Sequence, residues 1–123
     1  MESAAASPPP IQFGVFSVGD VTTDPTNGST PSEHERIKAI LRIAEKVEEV
    51  GLDVFAIGQH HNPPFVPSAP TTLLAHVAAR TSRITLSTAT TLITTTDPVR
   101  IAEDYASLQH IADGRVDLVL GRG

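Results

Sequence analysis

Residues 84–123 read ITLSTATTLITTTDPVRIAEDYASLQHIADGRVDLVLGRG. The first ten of these, 84–93, are rich in β-branched residues, the composition of a strand. Asp97-Pro98 then signals a helix start, with a capping side chain followed by a proline where a missing N–H costs nothing. Ile101, Ala102, Tyr105, Leu108 and Ile111 recur at helical spacing and predict one apolar face. Asp113-Gly114 ends that helix, and residues 116–120 (VDLVL) read as another strand. The run is therefore strand, helix, strand.

The same alternation extends back along the chain. Residues 11–18 (IQFGVFSV) and 52–57 (LDVFAI) are strand candidates, the second short and apolar like a buried parallel strand. Between them Thr30-Pro31-Ser32-Glu33 has capping-box spacing from Thr30, with Pro31 at the first helical position. Ile37, Ile40, Leu41, Ala44 and Val47 give that helix its apolar face, and Gly51 sits where a C-terminal glycine is expected. Ser68-Ala69-Pro70 opens a further helix carrying Leu73, Leu74, Val77 and Ala78. Strand starts at 11, 52, 84 and 116 are spaced by 41, 32 and 32 residues, the size of strand–helix–strand units.

The sequence thus predicts an α/β fold of four parallel strands and three helices. A doubly wound open sheet and part of an eight-stranded barrel both fit. The polar residues favour the barrel. Ser17, His60, His61, Thr90, Thr91 and Arg122 fall at or beyond strand C-terminal ends, where barrel enzymes place their chemistry, although open sheets bind ligands at the same end. The domain division is a disordered tail at 1–10, rich in proline and small residues (MESAAASPPP), and a half barrel over 11–123. A complete barrel needs about 250 residues. The expectation is that the chain is the first half of one, either a fragment or a partner to a separate half.

Composition narrows the function. The 123 residues are 40% apolar and 19% charged, ordinary for a globular domain. A net charge of −5 with scattered Lys and Arg argues against nucleic acid as partner. No apolar run approaches the roughly 18 residues of a membrane span, and the start lacks a signal-peptide pattern, so a cytoplasmic location is the default. With no cysteine there is no disulfide, thiolate metal site or thiol nucleophile.

Three stretches carry chemical potential. Gln59-His60-His61-Asn62 follows the second strand, where an imidazole can handle protons. A hydrogen-bonded loop pair is the plainer alternative, at about even weight. A metal site is not expected, because neighbouring residues point apart and His34, His76 and His110 lack ligand spacing. Thr88-Ala89-Thr90-Thr91 reads first as β propensity, but polarity continues through Thr94-Thr95-Thr96. Gly121-Arg122-Gly123 pairs a flexible backbone with a guanidinium suited to phosphate, or is simply a polar strand end.

Taken in order, these stretches resemble the luciferase-like monooxygenases. The α subunits of bacterial luciferase have a Thr-Ala-Ala strand, then Pro-Val-Arg, Ala-Glu-Asp, Gly-Arg and a final Arg-Gly. The matching residues are Thr88-Ala89-Thr90, Pro98-Val99-Arg100, Ala102-Glu103-Asp104, Gly114-Arg115 and Arg122-Gly123. The resemblance covers residues 11–123. It implies an FMN-dependent monooxygenase taking reduced FMN from a separate flavin reductase and using O2 to oxygenate a small organic substrate. His60 matches the catalytic histidine. Thr88, Ala89 and Thr90 match the cofactor strand, with a cis Ala89–Thr90 peptide under the flavin ring, and Arg122 matches a ligand of the FMN phosphate. A homodimer through the Ala-rich early helices is also implied. A deazaflavin-dependent oxidoreductase of the same superfamily is the alternative, and a non-catalytic, flavin-binding or self-associating half barrel is another. One departure stands out: the family often has Glu before the histidines, and here it is Gln59, which removes a carboxylate partner from the imidazoles.

Overall fold

The computed structural model describes residues 7–123. The predicted tail therefore lies partly outside the described residues; residues 7–10 are exposed and in neither helix nor strand. Strand β1 (Gly14–Ser17), helix α1 (Glu33–Glu49), β2 (Val54–Ile57), α2 (Pro70–Arg80) and β3 (Thr85–Thr88) follow in order. They are succeeded by β4 (Thr91–Leu92), α3 (Pro98–Ile111), β5 (Val116–Asp117) and β6 (Leu120–Gly121).

Four strands form one parallel sheet in the order β1-β2-β3-β5, and β4 pairs with β6, also in parallel. Sequential order with adjacent helices α1, α2 and α3 in mutual contact decides between the two architectures. A doubly wound sheet would reverse its strand order and put helices on both faces, whereas a barrel winds in one direction with its helices outside. The fold is the barrel kind. Register explains the core. Val15, Phe55, Leu86 and Val116 lie abreast, and so do Ser17, Ile57 and Thr88 one pleat on. Phe55, Ile57, Leu86 and Thr88 are fully buried beneath the helices with Ile40, Ala44, Leu74 and Leu108. Phe16, Ala56, Ser87 and Asp117 form the row on the opposite face.

The structure moves several predicted boundaries. The first helix is capped by Ser32, not Thr30. The Ser32 hydroxyl accepts from the Glu35 N–H while the Glu35 carboxylate accepts from the Ser32 N–H. Two capping-box signals overlap here, Thr30 with Glu33 and Ser32 with Glu35, and the helix begins at Glu33, so the Ser32 pair is the one that closes. Gly51 follows that helix at φ +85°, the left-handed conformation that ends helices and that side chains resist. In α3 the apolar stripe does not run through Ala102 and Ile111. Both are exposed, and Ala112 is buried in place of Ile111.

The largest difference is that the two predicted long strands are each broken. Residues 84–93 divide into β3 and β4, and residues 116–120 into β5 and β6. The Thr88 hydroxyl stands in for a ladder partner at the break, donating to Val119 O at 3.0 Å and accepting from Val119 N–H at 3.2 Å. The Ala89–Thr90 peptide between β3 and β4 is cis.

Candidate functional site

At the C-terminal ends of β2, β3, β4 and β6 the structure opens a cleft of about 460 Å³, within the usual size range for small ligands. His60, His61, Ala89, Thr90 and Gly123 line it, together with Gln59, Leu92 and Thr95. Residues 30 positions apart in the chain meet here because parallel strands end side by side.

His60 leaves the end of β2 with its backbone N–H bonded to Pro67 O, and its ring stacks on Phe65 at 4.3 Å between centroids. Phe65 is held in turn by the neighbouring loop. It bridges to Asp20, Val66 N–H donates to Gly19 O, and Arg36 clamps Asp20 through both its carbonyl and its carboxylate. The Thr22 hydroxyl holds the Asp20 carboxyl below the ordinary carboxylate range despite some burial, and the Arg36 guanidinium adds to that. The platform under His60 is thus built from two loops fixed to α1.

Ala89 is exposed and Thr90 half-buried, so both face the cleft. Thr88 lies behind them, fully buried, with its hydroxyl committed to Val119. Thr91 is buried as well and shares a hydrogen bond with the Tyr105 phenol, whose ionisation burial pushes upward. Gly121 packs against Thr90 so closely that a Cβ would sit 2.6 Å from Thr90 Oγ1 and 2.9 Å from its Cβ. The strand end therefore needs glycine to hold Thr90 in place. Arg122 is exposed at the rim between two glycines; its carbonyl accepts from the Thr94 hydroxyl at 3.0 Å, and among the described residues its guanidinium is in no ion pair.

Sequence reading brought forward His60, Ala89, Thr90 and Arg122; the first three line one cleft, and Arg122 stands beside it between Gly121 and the cleft-lining Gly123. It missed Phe65 and Leu92, and it read Gly121 as close backbone for an anion where the structure uses it against Thr90. Two of the run Thr94-Thr95-Thr96, odd for a buried strand, are accounted for: the Thr94 hydroxyl donates to the Arg122 backbone carbonyl and Thr95 accepts from the Gln59 amide. Among the described residues no group of three or more His, Cys, Asp or Glu side chains converges as a metal site, and no helix is long and apolar enough to cross a membrane.

The donor set fits a flavin nucleotide. A flat ring needs small, partly apolar walls with polar atoms at its rim, which Ala89, Thr90 and Leu92 provide beside His60. A phosphate needs an uncommitted guanidinium and closely approaching backbone, which Arg122 between Gly121 and Gly123 offers.

A family model described as luciferase-like monooxygenase matches residues 11–123. A luciferase-like monooxygenase of Escherichia coli K12 is 31% identical over 87% of this chain and 31% of its own. The oxygenating constituent of 3,6-diketocamphane monooxygenase from Pseudomonas putida, solved with FMN, superposes with a TM-score of 0.77 at 21% identity, covering 91% of this chain and 30% of that one. The coenzyme F420-dependent tetrahydromethanopterin reductase of Methanopyrus kandleri superposes with a TM-score of 0.70 at 23% identity, over 92% and 27%. The chain spans less than a third of the length of each.

Proposed function

The chain belongs to the luciferase-like monooxygenase family, and from that premise we propose that it forms the cofactor-facing first part of an FMN-dependent monooxygenase. The observation that carries the reading is the meeting of His60, Ala89 and Thr90 at one cleft, with Arg122 next to it in the chain between Gly121, which packs on Thr90, and Gly123, which lines the cleft. Ala89 and Thr90 form the wall for the ring, Thr88 braces that wall from behind, and Arg122 takes the phosphate. Reduced FMN, supplied by a separate reductase, provides the electrons with which O2 is activated. His60, held on Phe65, gives or accepts a proton at its imidazole as the small organic substrate reacts. The chain works in the cytoplasm as a homodimer; light scattering is expected to show a dimer at micromolar concentration.

The test is a titration of the complete protein with reduced FMN and with reduced deazaflavin, followed by O2 uptake with aldehyde and ketone substrates. FMN-dependent, substrate-stimulated O2 uptake is expected. Preference for the deazaflavin would select the second reading, a deazaflavin-dependent oxidoreductase, which the shared fold of the F420 enzyme supports. Flavin binding with no turnover would select a non-catalytic role.

Gly121→Ala tests the wall separately. The added methyl displaces Thr90, an overpacking that costs about 1–3 kcal/mol. Flavin affinity is expected to fall roughly tenfold or more, and an unchanged Kd would show that Thr90 does not contact the cofactor.

A further inference from the structure

The Gln59 side chain joins three elements. Its Oε1 accepts from the Leu92 backbone N–H at 2.9 Å, and its Nε2 lies 2.8 Å from His61 Nε2 and 3.2 Å from Thr95 Oγ1. Gln59 is only 5% exposed, so its amide atoms find partners inside the protein. A carboxamide has the same outline turned end for end, and its neighbours decide which end is which. A backbone N–H only donates, so the atom facing Leu92 is the carbonyl oxygen. The NH2 group therefore faces His61 and Thr95. Thr95 is able to receive, since its own proton is directed to Leu92 O at 3.4 Å. His61 Nε2 must receive too, which needs a lone pair on that nitrogen. Neither an imidazolium nor the tautomer with Nε2–H has one.

We propose that Gln59 is a positioning residue that fixes His61 as a neutral imidazole with its proton on Nδ1. The histidine pair is thereby divided. His61 offers a ligand one N–H donor at Nδ1, suited to a neutral acceptor such as a carbonyl oxygen. His60, whose ring is engaged by stacking on Phe65, is left as the ring that exchanges a proton. The assignment concerns this chain's own atoms and holds whichever cofactor the cleft takes.

Two-bond ¹H–¹⁵N correlation NMR on the complete protein, labelled at histidine and read at neutral pH, reports the tautomer of each ring. His61→Asn identifies the signals. The unaltered protein is expected to show His61 with a protonated Nδ1 and a bare Nε2. Gln59→Leu removes the donor and is expected to replace that single tautomer with a mixture. Gln59→Glu keeps the shape, turns an acceptor toward His61, and is expected to put a proton on Nε2. A protonated Nε2 in the unaltered protein, or a His61 pattern that Gln59→Glu leaves as it was, overturns the proposal. If Gln59→Leu does not fold, the unaltered protein and Gln59→Glu decide between them. Failure of the flavin reading would show separately, as an absence of binding in the titration.

Discussion

His60→Ala in the complete protein is expected to lower kcat by roughly 10²–10⁴-fold, the usual share of a positioned acid–base group, while flavin affinity changes by no more than a few-fold. The reasoning is geometric. Ala89, Thr90 and Arg122, the residues assigned to the cofactor, sit at the ends of β3, β4 and β6, whereas His60 is held from the other side by Pro67 and Phe65. The imidazole does pack, however. Losing the stack on Phe65 forfeits about 0.5–1.5 kcal/mol of aromatic contact, and part of any loss of activity would come from a loosened loop. His60→Phe separates the two contributions, because a phenyl ring keeps the stack but carries no proton. Both variants should lose kcat by a similar factor if the imidazole moves a proton. Full activity in His60→Phe would show that the residue only supports the loop. If neither variant loses turnover at saturating flavin, the catalytic assignment is wrong.

The sequence carried the fold well because the fold is repetitive. Each helix announces itself by 3.6-residue periodicity, each buried strand by a short apolar run, and the repeat length leaves room for little besides a crossover. The choice between barrel and open sheet leans to the barrel on the polar residues at the strand ends and on the family resemblance, and the sequential strand order bears it out; periodicity alone leaves it open, since it depends on which strands become neighbours. Nor does periodicity show the breaks in the two long strands. Threonine has the same β propensity on both sides of residue 89, and the Thr88 hydroxyl that interrupts the ladder finds its partner 31 residues away. The site divides in the same manner. His60, Ala89, Thr90 and Arg122 are named through the family resemblance, their residue types alone leaving a plainer reading open. Gln59 reads in sequence only as a missing carboxylate; what its amide does depends on Leu92 and Thr95, 33 and 36 residues further on. Signals of residue type survive in a sequence, whereas pairings across the sheet do not.

The far end of the barrel from the site yields the second large effect, on stability. The turn from α2 into β3 has no ladder for its own backbone groups, and buried or half-buried peptide groups must be paired. Two side chains do it. The Glu48 carboxylate, from α1, accepts from the N–H groups of Ser82, Arg83 and Ile84 and from the Ser82 hydroxyl. The Arg115 guanidinium, just before β5, donates to the carbonyls of Ala78, Thr81 and Ile84 and to the Thr81 hydroxyl. Partial burial alone would push the Glu48 carboxyl up, but the backbone N–H groups of Arg83, Ile84 and Ser82, with the Ser82 hydroxyl, outweigh it and hold it down from 4.5 to about 2. Because the folded value lies below the unfolded one, this stabilisation is complete above about pH 4.5 and is lost as pH falls towards 2. The shift at full strength is worth roughly 3 kcal/mol, and solvent screening of a half-exposed carboxylate reduces it to about 1–2 kcal/mol. Glu48→Gln should therefore destabilise the protein by about that amount at pH 7 and flatten its stability between pH 4.5 and 2. Arg115→Leu should cost more, about 3 kcal/mol, because it strips a charged donor from three carbonyls that then face no partner. Urea unfolding of the complete protein, repeated across pH, checks both. Equal stability of Arg115→Leu and the unaltered protein would mean that water replaces the guanidinium at no cost. A Glu48→Gln curve running parallel to the unaltered protein's below pH 4.5 would mean that other carboxylates govern the acid limb.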